Sequence, residues 1–140
     1  MRKTLGLVFV LVVGITMGAV GNQVLNAQQA SAKVTVLLKH DLRGVQNKEV
    51  MLLELVGSPG WQSPWHHHPG QEFVYVAEGS VGWETKGQPP KTLPSGSAFH
   101  NDLEAVHNIK NAGTTPLRLI GCLVAEKGMP QSIPDDPPSK

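Results

Sequence analysis

One cysteine, Cys122, stands in 140 residues, so no disulfide can form within the chain. Its fold must rest on apolar burial alone. Charge is scarce as well: Asp, Glu, Lys and Arg make up 16% of the sequence, with a formal net charge of +1. There is no basic stripe, which removes the electrostatic case for a nucleic-acid partner. No G-x-S-x-G elbow, phosphate loop or dinucleotide fingerprint occurs, so the usual signatures of esterases, nucleotide hydrolases and nicotinamide enzymes are missing. Beyond Lys33 no stretch carries a helical period, which argues against a helical bundle.

What the chain has in quantity is turn formers, with 15 glycines and 11 prolines. They punctuate short β-rich runs at 34–39, 48–56, 72–77, 80–85, 91–93, 97–100, 105–110 and 115–125. Glu78-Gly79 sits between two of these runs as a hairpin turn, and Gly60 leaves the second run by another. Runs this short, with turns this frequent, predict an all-β sandwich or barrel. Several strands, such as MLLELV and FVYVA, are apolar on both parities. That suits a layer covered on both faces, as in a homodimer. Trp61, Trp65, Phe73, Tyr75, Trp83 and Phe99 read mostly as core, with Trp65 equally suited to a pocket wall. Cys122, within LRLIGCLVA, reads as a small buried hydrophobe.

The first residues have a different character. Arg2 and Lys3 precede an apolar run from Leu5 to Gly21, and Ala30-Ser31-Ala32 supplies an A-x-A cleavage site, with Ala27 as an alternative. This layout predicts a secretory signal over 1–32. The alternative is an uncleaved membrane anchor, at the short end of what spans a bilayer. Either way the product is exported, to a periplasm or outside the cell. Residues 33–126 form the domain. Residues 127–140, with Pro130, Pro134, Pro137 and Pro138, make an extended or disordered tail.

Candidate chemistry concentrates in PWHHHPGQEFVYVAEG, residues 64–79. Strand side chains alternate, so His66 and His68 share a face and His67 takes the other. Glu72 has the same parity, provided Pro69-Gly70 adds no bulge. Two imidazoles and a carboxylate on one wall suit non-haem iron and similar divalent ions. His100 and His107 are the candidates for a further ligand. His40 has no such context.

The spacing carries more. Gly60, five residues, His66-x-His68, three residues, Glu72, six residues and Gly79 resemble the first motif of the cupin superfamily at every fixed position. Gly96, His107 and Asn111 are similar to its second motif in register, while Asp102 and Glu104 stand where that motif has Pro and Gly. The resemblance covers roughly 34–126. It implies a single-domain antiparallel jelly-roll β-barrel and a divalent transition metal, Fe or Mn ahead of Ni, Co, Cu or Zn. It also implies the ligand set His66, His68, Glu72 and His107. His67 and His100 fall off the ligand positions, and Asn111 holds the turn after the His107 strand. Gln62 and Gln71 are candidates to orient the imidazoles, and Asp102 and Glu104 are turn residues that are more simply solvated. The function implied is a metal-dependent dioxygenase acting on a small enolic or aromatic substrate, with Glu72 as ligand and base. The alternatives are a metal-dependent isomerase or lyase of a sugar or keto acid, and a metal- or ligand-binding module without turnover.

Overall fold

The computed structural model describes residues 30–139, so the expected signal segment lies outside the described residues up to position 29. Ten strands follow: β1 Ala32–Asp41, β2 Lys48–Gly57, β3 His66–His67, β4 Gly70–Glu78, β5 Ser80–Thr85, β6 Lys91–Pro94, β7 Ala98–Asn101, β8 His107–Asn111, β9 Leu117–Glu126 and β10 Ile133–Pro134. Among the described residues there is no helix. All pairings are antiparallel, in two five-stranded sheets ordered β1-β2-β9-β4-β7 and β10-β3-β8-β5-β6. This is the all-β jelly-roll arrangement.

Period-two patterning places the core. In β9 Leu117, Leu119, Gly121, Leu123 and Ala125 are buried, and the residues between them are half-buried. Val74, Val76, Val81, Phe99, Leu117 and Leu119 form one cluster, flanked by Leu55, Trp83, Leu93 and Ile109. Met51, Leu53, Leu123 and Ala125 form a second. The β4–β5 hairpin turns at Gly79, whose φ of +78° is the left-handed region. A Cβ there would also stand 2.8 Å from the Pro116 carbonyl oxygen. Asn111 closes the turn after β8: its Oδ1 accepts from Gly113 N at 2.9 Å, and its Nδ2 donates to the Thr115 and Gly57 carbonyls.

Several expectations change here. Phe73 and Tyr75 are not core; they are 48% and 50% exposed. They stand on the outer face of their sheet with Leu52, Ile120 and Cys122, around an open recess of about 580 Å³. Their parity opposes the buried Val74 and Val76, and a strand in a two-layer fold must turn one parity outward. Cys122 is accordingly half-buried rather than buried. The first histidine segment is not one continuous strand either. β3 ends at His67 and β4 begins at Gly70 in the other sheet, so the chain changes sheets at His68-Pro69.

Candidate metal centre

That crossing sets the geometry. His66 lies on β3 and His107 on β8, directly paired in one sheet. Glu72 lies on β4 in the other sheet, and His68 lies on the connection between them. The histidines and the carboxylate therefore face one another across the two layers, rather than lining one wall as strand parity suggested. Ring centroids are 4.4 Å apart for His66 and His107 and 5.1 Å for each of their pairings with His68. One ring nitrogen from each lies within 4.8 Å of the other two. Among the described residues this is the cluster that could hold a metal ion.

Each imidazole is oriented by a main-chain carbonyl. Nδ1 of His66 donates to Pro64 O at 2.9 Å, Nδ1 of His107 to Ala105 O at 2.7 Å, and Nδ1 of His68 to Gln131 O at 2.6 Å. A carbonyl oxygen only accepts, so each ring carries a proton on Nδ1; Nε2 of His66 and of His107 then presents a lone pair, while Nε2 of His68 faces Glu72. This is the tautomer that a cation needs, held by the kind of outer partner that metal-bound histidines use. The donor set therefore fits a divalent transition metal.

Glu72 touches the cluster through His68, with Oε2 3.1 Å from His68 Nε2. Asn101 Nδ2 donates to the same oxygen at 2.9 Å, and Trp83 Nε1 donates to Asn101 Oδ1 at 2.9 Å. Gly121 makes room for the carboxylate: a Cβ at that position would lie 3.1 Å from Glu72 Oε1. Since His68 Nδ1 is already engaged, a hydrogen bond at Nε2 means that His68 and Glu72 share one proton. A cation bound at Nε2 displaces it.

Electrostatics agree with this division. Burial lowers the His107 pKa to about 4, with the neighbouring imidazoles adding to the effect. Burial likewise lowers His66, so both are neutral and able to ligate at ordinary pH. His68 is pulled down by burial, but the hydrogen bond and charge of Glu72 outweigh that and leave it raised. Burial pushes the Glu72 carboxyl up, and hydrogen bonds from His68 and Asn101 overcome it, so Glu72 is lowered and ionised.

The remaining histidines are elsewhere. His67 Nδ1 donates to Asp135 Oδ2 at 2.5 Å, away from the cluster. His100 stacks on Phe73 and donates to Asp102 Oδ1. His40 donates to its neighbour's carbonyl on the exposed β1. Asp102 and Glu104 are exposed, as are Gln62 and Gln71, which orient no imidazole. Sequence reasoning missed the true orienting groups because they are main-chain carbonyls, which carry no side-chain signature. It also passed over Asn101, a buried polar residue beside a strand end.

A cavity of about 280 Å³ opens beside His66 and His68. Leu53, Leu55, Trp61, Trp65 and Ile109 give it apolar walls, and Gln131, Ser132 and Pro134 close one side. No Lys, Arg, Asp or Glu lines it. Trp65 is therefore a pocket wall.

Comparison with known proteins agrees with this picture. The family model described as "Cupin domain" matches residues 39–124. A cupin-like protein from Thermotoga maritima superposes with a TM-score of 0.61 at 25% identity, over 74% of each chain. An RmlC-like cupin family protein with a double-stranded β-helix fold, from Methanocaldococcus jannaschii, gives 0.58 at 16% identity, over 69% of this chain and 82% of that one. The DMSP lyase DddQ from Ruegeria pomeroyi gives 0.55 at 18% identity, over 65% of this chain and 45% of that one. The last two likenesses concern the fold alone. No curated protein matches the sequence.

Proposed function

This chain belongs to the cupin family, and from that premise we propose that it is an exported metalloprotein that oxygenates a small enolic or aromatic molecule. The observation that carries the metal reading is the convergence of three imidazoles, each held by a carbonyl at Nδ1. The substrate class rests on the adjoining cavity. Its size, about 280 Å³, is near the roughly 300 Å³ lower limit of drug-sized pockets, so it suits a small ring rather than a long ligand. Its walls are mostly apolar and carry no Lys or Arg, so a phosphorylated or multiply anionic substrate would lose its hydration with no cationic side chain to replace it beyond the metal itself. Export rests on the apolar run Leu5–Gly21 behind Arg2 and Lys3.

His66, His68 and His107 would hold the cation, with Glu72 as fourth ligand. A divalent metal there supplies Lewis acidity and an open position for an oxygen atom of the substrate or for dioxygen. The protein's own residues do the rest. Trp61, Trp65 and Leu55 orient a flat apolar body and keep water from it. Glu72, ionised and held by Asn101 Nδ2, accepts a proton at Oε2.

The test is oxygen uptake by the iron- and manganese-loaded protein with a panel of small enols and catechols. Uptake is expected with at least one of them. It should fall at least 100-fold in His66→Ala and His107→Ala and stay within twofold in His100→Ala. Substrate turnover that persists without oxygen and stops with a chelator would replace this reading with an isomerase or lyase. No turnover at all with metal bound would leave a binding protein.

A further inference from the structure

The three orienting carbonyls are not equivalent. His66 and His107 each use the carbonyl two residues earlier in their own segment, Pro64 and Ala105. Those contacts come with the strand. His68 takes its acceptor from Gln131, 63 residues further along the chain. Gln131 belongs to the proline-rich C-terminal segment, beyond the last residue of the family match. This segment is extended, as its prolines suggest, but it is docked: β10 pairs with β3, Ile133 opposite His67 and Pro134 opposite His66. A proline suits this position, because β10 is an edge strand. Asp135 fastens its far end twice, with N donating to Trp65 O at 2.9 Å and Oδ2 accepting from His67 Nδ1. The off-ligand histidine of the triplet thus has a partner, in a segment whose composition gives no hint of one.

We propose that residues 131–135 are a strap that completes the metal centre, with the Gln131 carbonyl as the positioning group for His68 and the His67–Asp135 pair as its clasp. This rests on the metal reading given above. Without the strap, His68 Nδ1 has no carbonyl to donate to, and the ring is free to flip or to carry its proton at Nε2. Only His66 and His107 would then stay pre-oriented. The strap also forms the Gln131–Pro134 side of the cavity, so its loss opens the pocket to water.

The experiment titrates Co²⁺ into the full chain, into a variant ending at Met129, and into Asp135→Ala and Asp135→Asn. Affinity and the visible cobalt spectrum are the readouts, and circular dichroism checks the fold of each. Truncation is expected to weaken Co²⁺ binding about tenfold or more, the scale seen when an outer partner of a metal ligand is removed. It should also change the cobalt spectrum, which a remote loss of stability would leave alone. Asp135→Ala should weaken binding several-fold, and Asp135→Asn, which keeps an acceptor for His67, should recover it. If truncation unfolds the protein, the Asp135 pair decides. A full chain that binds Co²⁺, with variants that match it in affinity and spectrum, overturns the strap alone. A full chain that binds no Co²⁺ overturns the metal reading and the strap together.

Discussion

His107 shows most clearly what a cation site asks of a single residue. A buried imidazole that cannot take a proton until about pH 4 is costly in a metal-free protein, and the cost has a sign. An unfolded chain titrates its histidines near 6.5. Between pH 6.5 and 4 the unfolded state therefore binds protons that folded His107 refuses, so folding stability falls as pH falls. For His107 alone the loss is about 3 kcal/mol, at roughly 1.4 kcal/mol per pH unit of depression. His66, lowered in the same way, adds to it. His68 is raised, so its own contribution is complete below 6.5 and fades above; it does not cancel the acid loss. Thermal melts of metal-free protein are expected to drop steadily from pH 7 to 4.5, with a shallower drop in His107→Gln. Melts flat over that range would contradict the burial of neutral imidazoles. The identities of these residues were legible from HxH, the following glutamate and the late histidine. Their tautomers were not, because Pro64, Ala105 and Gln131 act through carbonyls that every residue type possesses.

At the level of elements, the loop between β7 and β8 carries a departure from the family pattern with a measurable consequence. Glu104 stands where the resemblance expects glycine, and its φ is +60°. The backbone has kept the left-handed turn while the sequence has lost the residue that suits it. Such a conformation costs a residue with a Cβ roughly 1–2 kcal/mol, and glycine's extra freedom in the unfolded chain takes back about 0.5–1. Glu104→Gly is expected to stabilise the protein by about 0.5–1 kcal/mol, several degrees in melting temperature, with metal content unchanged. An equal or lower melting temperature would show that the turn is not strained. Eight strands were legible from alternating apolar runs between Gly and Pro. β3 and β10 were not: each is two residues long, too short for a period, and each is defined by its pairing, β10 with β3 and β3 with both β10 and β8. The change of sheet at His68-Pro69 was hidden for the same reason. Parity counts residues along a strand and cannot see where the strand stops.

Over the whole molecule, two sheets have each contributed part of one site, and one of them has an outer face left apolar. Phe73, Tyr75, Leu52 and Ile120 line that face around the open recess. The two-sided pattern of the strands and the family resemblance favour a second copy of the chain as its cover. Light scattering is expected to give twice the chain mass, falling to one in Phe73→Asp combined with Tyr75→Lys. A wild-type protein that is monomeric at micromolar concentration would remove the dimer without touching the metal centre. That centre is the claim on which the rest depends: side chains from β3, β8 and the crossing between sheets meet at one cation. Anomalous diffraction from crystals soaked in Co²⁺ tests it most directly. A single peak about 2.1 Å from Nε2 of each of His66, His68 and His107 is the expected result. Peaks only at surface groups such as His100 and Asp102, with the three imidazoles left without an ion, would contradict it.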